Sequence, residues 1–247
     1  MKHAASVVAV LAIVGVVVAA PACARRIEPG DPLGGLSRDE RRRFERGKEV
    51  FERTFEPKTG LGPLFNADAC GECHEEPATG GTGDEIEIHA TALQPDGTCD
   101  PLIDQGGPVV QQQVTPELRA ALGIEAEPVP AGATATGRRT SPDLFGFGLL
   151  DAVPEAEILA RADPDDRDGD GVSGRPNRFV DGRLGRFGRK AFVPTLREFN
   201  DGAFNLEQGV TNPVTPGEET VAGQPVPEGV DLAADPEITQ DDLDLTD

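Results

Sequence analysis

Two cysteines three residues apart, followed at once by a histidine, form the segment Cys70-Gly-Glu-Cys73-His74. On one helical turn, two such thiols can add to the two vinyl groups of a single porphyrin. The adjacent imidazole then lies under the iron as proximal ligand. The spacing therefore predicts one covalently bound haem c, with Cys70 and Cys73 as attachment points and His74 on the iron. Two other chemistries use the same residue types. A redox dithiol calls for a preceding strand within a βαβ frame, which the pattern lacks. A zinc site would have to recruit His89 and Cys99 at unusual spacing.

The other face of the iron is less constrained. The chain has no Tyr and a single Met, at position 1, so Met or Tyr ligation from the exported chain is ruled out. His89, 15 residues after His74, is the candidate distal ligand, with Lys190 a remoter one; an ordinary surface histidine is the plainer reading of His89. An open or water-filled sixth position permits peroxide chemistry, whereas a filled one favours simple electron transfer.

Two further clusters carry charge. In "DPDDRDGDGVSG", Asp166, Asp168 and Asp170 stand at positions 1, 3 and 5 of a calcium loop, with Gly171 at position 6. Position 12 is Asn177 rather than the bidentate Glu of a full loop, so calcium and a solvated acidic turn both remain open. Arg183, Arg186, Arg189 and Lys190 gather around Phe187. Guanidinium groups suit the two propionates of a haem, or a bridge to the acidic "DPDD" segment.

The formal net charge of −21 makes nucleic acid and acidic membrane surfaces poor partners and points to a basic redox protein. The first 24 residues read as a signal peptide: a short basic start, an apolar run, then small residues before the cut. Export to the periplasm follows. Cys23 adds the alternative of a lipoprotein signal over residues 1–22, and membrane association is expected only through that lipid. Exported cysteines can form disulfides, but Cys99 has no evident intrachain partner once Cys70 and Cys73 hold haem.

The elements that must position these residues are partly readable. Ser37 and Glu40 form a capping box ahead of a helix that places Phe44, Gly47, Val50, Phe51 and Phe55 on or near one face. Gly47 there predicts close packing against another helix. A short helix is predicted around Cys70 to His74. Residues 77–137 read as mostly irregular, with short extended segments in "GGTGDEIEIHATAL" and "PLIDQGGPVVQQQV" and a surface loop at "EPVPAGATATG". Thr115, Pro116 and Gly123 bracket a brief helix, another is predicted from Pro154 to Ala162, and Thr239 with Asp242 opens a last one. Phe is the only aromatic type, and 30 Gly and 22 Pro imply much loop.

Taken in order, "GLGPLFNADACGECH", "GGPVVQQQV", "RRTSPDLFGFGLLDAVPEAEILARADPDDRDGDGVSGRPN", "LGRFGRKA", "AFNLEQGVTN" and "DPEITQDDLD" resemble the bacterial di-haem oxidoreductases, among them proteins described as thiol oxidoreductases. These are exported relatives of the di-haem cytochrome c peroxidases, and the resemblance runs over residues 38 to 245. It implies a mainly α fold: a cytochrome c-like haem domain with long irregular loops over residues 37–247. The family carries a second Cys-x-x-Cys-His motif, which this chain lacks, so the chain resembles the N-terminal haem portion and a second haem domain or chain is an expected partner. Arg189 stands where the family commonly has Trp. The leading expectation is periplasmic electron transfer as part of a di-haem oxidoreductase-like system. The alternatives are a peroxidase-like oxidoreductase that needs the second haem, and a non-catalytic, calcium-stabilised lipoprotein with a cytochrome-like fold.

Overall fold

A computed structural model describes residues 27–247; the predicted signal peptide, in either its 1–24 or 1–22 form, and Cys23 lie outside the described residues. The first element is helix α1 (Arg38–Phe51). Its start is the predicted capping box, with the Ser37 side chain accepting from the Glu40 amide and the Glu40 carboxylate accepting from the Ser37 amide. Strand β1 (Leu64–Phe65) and the single-turn helix α2 (Cys70–Cys73) follow.

The mainly α, cytochrome c-like expectation is overturned here: the protein is a mixed α/β fold with several antiparallel sheets. Strand β2 (Ile86–Leu93) is the hub of the largest, pairing with β3 (Cys99–Asp100), β4 (Val109–Val110) and β6 (Ala135–Thr140). The β2–β6 ladder runs from Ile86↔Thr140 to Thr91↔Ala135. Strand β1 pairs with β5 (Gln113–Val114), and β7 (Thr220–Val221) with β8 (Gln224–Pro225). The extended segments expected in residues 77–137 are present, but β6 begins inside a stretch read as surface loop. Its sequence, "ATGRRT", has no apolar alternation. Its strand conformation rests on backbone bonds to β2, a partner some 45 residues away that local pattern does not encode.

Helix α3 (Pro116–Leu122) has its predicted Thr115 cap, which accepts from the Leu118 amide, and ends at Gly123 in the left-handed region. Two five-residue helices, α4 (Phe147–Asp151) and α5 (Glu155–Leu159), precede α6 (Leu196–Gln208), a 13-residue helix that local reading did not anticipate. Helix α7 (Gln240–Leu245) opens on the predicted capping box of Thr239 and Asp242. Among the described residues no helix is long and apolar enough to cross a membrane.

Two apolar clusters hold these pieces. The larger joins Val50 of α1, Phe55, Leu61, Phe204 of α6, Val210, Ile238 and Leu243 of α7, and Cys70 packs against it. The smaller joins Leu64, Val114, Leu118 and Val230. The close approach predicted at Gly47 is found: a Cβ there would collide with the carbonyl oxygen of Leu245 at the end of α7. Gly47→Ala removes a poor helix former, yet that gain is smaller than the cost of forcing α7 away. The variant is expected to lose about 1–3 kcal/mol of stability, measured by urea unfolding; equal or greater stability would contradict this packing.

Candidate functional site

Helix α2 is positioned from both sides. The chain enters it with the Asp68 carbonyl accepting from the Phe55 amide at 2.9 Å, and its single turn closes through the His74 amide on the Cys70 carbonyl at 3.2 Å. From across the molecule, the Gln208 amide group at the end of α6 donates to the Cys70 sulfur at 3.0 Å. Cys70 and Cys73 are half-buried and not disulfide-bonded. Burial pushes the Cys70 thiol up to about 11, the Gln208 bond opposing it and the Glu207 charge adding to it. Burial, with Glu85, Glu207 and Glu72 around it, pushes Cys73 up to about 12. A redox dithiol needs its thiolate favoured, and here both thiols are held neutral. The zinc alternative also finds no support, since no cluster of three or more close metal-ligating groups among the described residues includes a cysteine or histidine.

His74 has the hydrogen bonding of a metal-bound imidazole. Its Nδ1 lies 3.1 Å from the Gly81 carbonyl and 3.0 Å from the Pro142 carbonyl. Both partners are acceptors, so Nδ1 carries the proton and Nε2 keeps its lone pair. The Phe51 ring sits beside the imidazole, 6.2 Å between centroids. Cys70, Cys73 and His74 line one cleft of about 2030 Å³, bounded also by Phe51, Phe147, Phe199 and Phe204. Two thiols one turn apart, an imidazole anchored through Nδ1 and a large aromatic-walled cleft fit a covalent haem.

His89 lies on β2 and lines the same cleft, as does Lys190. The His89 Nε2 is engaged 2.5 Å from Glu87 Oε2, so ligation through that nitrogen would first break this hydrogen bond. Glu87 in turn shares a hydrogen bond with Glu207 of α6, whose other bond comes from Asn66 at 2.9 Å. Burial, and then the Glu87 carboxylate beside it, hold Glu207 protonated well above the usual carboxyl range. Burial works against ionised Glu87 as well, but the Glu207 proton, His89 and Arg139 outweigh it and hold Glu87 down to about 2. The result is a carboxyl pair sharing one proton in the wall of the cleft. Sequence reading passed over this pair, because its members are 120 residues apart and each looks like an ordinary surface charge. Only the mixed apolar and acidic end of "AFNLEQG" hinted at a buried glutamate.

The basic cluster divides. Arg183 is committed to Asp181 and, through two nitrogens at 3.0 and 2.6 Å, to Glu198. Arg186 donates to the carbonyls of Leu150, Asp151 and Val153 at the end of α4. Phe187 is fully buried against Phe147. Arg189 and Lys190 are exposed and line the cleft, as does half-buried Arg139, so these three are among the cations placed to meet propionates. No ion pair or hydrogen bond joins Arg183, Arg186, Arg189 or Lys190 to the "DPDD" segment. Asp166, Asp168 and Asp170 do converge, with one carboxylate oxygen from each within 4.8 Å of the others, and Asp166 accepts from the Gly171 amide at 3.1 Å. Asn177, at position 12, instead donates to the Lys190 carbonyl at 3.1 Å.

Residues 131–235 match the family described as "Di-haem oxidoreductase, putative peroxidase". The match spans β6 to the loop before α7, less than half of the chain, and does not reach Cys70, Cys73 or His74. It supports an association with that family in this portion, narrower than the resemblance over residues 38 to 245. No curated protein matches the chain, and no solved structure does.

The thiol environment has a direct readout. In the haem-free chain at pH 7.5, exposed Cys99 should be alkylated at least about tenfold faster than Cys70 or Cys73, followed by peptide mass spectrometry. Equal rates at the three cysteines would contradict the buried, neutral state of the pair.

Proposed function

We propose that this chain is an exported c-type haem protein that transfers electrons within a di-haem oxidoreductase-like system. The observation that carries the reading is His74, whose Nδ1 is tied to the Gly81 and Pro142 carbonyls beside two cysteines one helical turn apart. Cys70 and Cys73 would hold the haem, and His74 Nε2 would be its proximal ligand. A bound haem c supplies one-electron exchange at its iron. The chain's own residues orient it: Gln208 holds the Cys70 sulfur in place, Phe51 packs at the imidazole, and Arg139, Arg189 and Lys190 stand at the cleft for the propionates. The net charge of −21 favours a basic redox protein as electron partner. Periplasmic location rests on the signal-like residues 1–24.

A second reading, peroxide reduction, is favoured by the Glu87–Glu207 pair. Reducing one peroxide to two waters consumes two electrons, delivered by a reduced redox protein, and two protons. Glu207 keeps one such proton in the cleft wall, shared with Glu87, and the other comes from solvent. A pure electron carrier has no need of that arrangement. In this reading a second haem domain or chain is the electron entry point.

Expression with haem-attachment machinery should give a chain heavier by one haem, and Cys70→Ala or Cys73→Ala should weaken the covalent link. An unmodified wild-type mass would overturn the proposal. Peroxide turnover separates the two readings: Glu207→Gln should lower kcat/KM for hydrogen peroxide about a hundredfold while leaving electron exchange with a reduced donor intact. A wild-type chain that exchanges electrons but consumes no peroxide, alone or with a second haem chain, would leave electron transfer standing and remove the second reading.

A further inference from the structure

We propose that Glu218, Asp231, Asp235 and Glu237 form a binding site for a hard divalent cation of the calcium class, separate from the haem cleft and from the Asp166–Asp170 turn. The four carboxylates come from the loop between α6 and α7: Glu218 precedes the β7–β8 hairpin and the other three follow it. One oxygen from each lies within 4.8 Å of the others. Oxygens at the usual 2.3–2.6 Å from one calcium ion are separated by at most about 5 Å, so a single ion can touch all four.

Crowded carboxylates are not by themselves a site, and the second observation is the state of their oxygens. Both carboxylate oxygens of Glu218, and Oε1 of Glu237, are sealed from solvent and accept no hydrogen bond. A buried acceptor without a partner costs about 1–3 kcal/mol, more when it is charged. Three such oxygens at one point indicate a missing positive ligand. One oxygen on each of the other three carboxylates accepts from a donor of the chain. The Thr211 hydroxyl donates at 3.0 Å to Asp235 and also serves Glu237, whose Oε2 takes the Thr211 amide at 2.6 Å as well. Asp231 accepts from the Ala233 amide at 3.0 Å. These bonds pre-orient the cage while leaving Glu218 wholly unspent.

The donor set names the class of ion. Four carboxylates with no histidine or cysteine suit a hard cation, and an all-protein carboxylate cage suits calcium over magnesium, which keeps most of its water. The cage also has something to hold. Glu237 packs directly on Gly60, in the loop between α1 and β1, and Gly217 next to Glu218 accepts from Asn205 of α6. An ion here would brace α6 against the segment that carries the cysteines.

The test is calcium titration of the full exported chain after chelator treatment, by calorimetry and by Tm. One tight calcium ion per chain and a rise in Tm are expected. Glu218→Gln should weaken binding at least about tenfold and abolish the rise. Asp235→Asn, at the exposed member of the cage, should do the same without disturbing the core should Glu218→Gln fold poorly. Asp168→Asn, in the other acidic turn, should leave both untouched. No tight calcium in the wild type, wild-type binding in Asp235→Asn, or loss in Asp168→Asn would overturn the proposal. None of these outcomes depends on haem.

Discussion

The C-terminal end of α6 is the constraint on which the rest depends. A helix leaves its last carbonyls without intrahelical donors, and here two of them are satisfied by a segment about 140 residues earlier in the chain. The Gly62 amide donates to Gln208, and the Asn66 and Ala67 amides both donate to Glu207. The approach is so close that a Cβ on Gly62 would strike the Gly209 carbonyl. With the backbones locked, the side chains of the same two α6 residues face opposite tasks. Gln208 steadies the Cys70 sulfur, and Glu207 pairs with Glu87 on β2. One helix end therefore sets the thiols, the carboxyl pair and the width between them.

What was legible in the sequence followed from local chemistry. The Cys70–His74 motif, the capping boxes at Ser37 and Thr239 and the Thr115–Gly123 helix all depend on residues within a few positions, and each element is where its signals put it; the glycine in the α1 pattern signalled a close contact at Gly47 but not its partner, Leu245. Helix α6 had such signals too, with Thr195 accepting from the Glu198 amide at its start and Gly209 in the left-handed region at its end. Its buried face masked them, because Asp201, Asn205 and Gln208 sit there among Leu196 and Phe204. Two of those polar groups have partners elsewhere in the chain: Asn205 reaches the Gly217 carbonyl and Gln208 reaches Cys70, whereas the buried Oδ1 of Asp201 has no hydrogen-bond partner among the described residues. Strand β6 and the fold class itself failed for the same reason, since the sheet is built by pairing that no window of sequence contains.

The acidic character of the chain is not evenly spread in consequence. Most carboxylates are solvated or paired at the surface, as in Arg46 with Asp241 and Arg197 with Asp244 and Asp247; isolated pairs of this kind contribute little to stability. Two clusters lie partly buried and are not explained that way. Glu87 and Glu207 resolve their repulsion by sharing a proton. For Glu218 and Glu237, with Asp231 and Asp235, we propose a bound cation instead. On these proposals the first arrangement would serve proton handling in the cleft, and the second would brace the loop that supports it.

The most direct test of the account is the optical spectrum of the haem-loaded chain, oxidised and reduced, compared between His74→Ala and His89→Ala. Because, among the described residues, His74 alone presents an uncommitted Nε2 at the cleft while His89 Nε2 is held by Glu87, His74→Ala should change the ligand-sensitive bands and His89→Ala should leave them as in the wild type. An unchanged spectrum in His74→Ala would contradict the account at its centre.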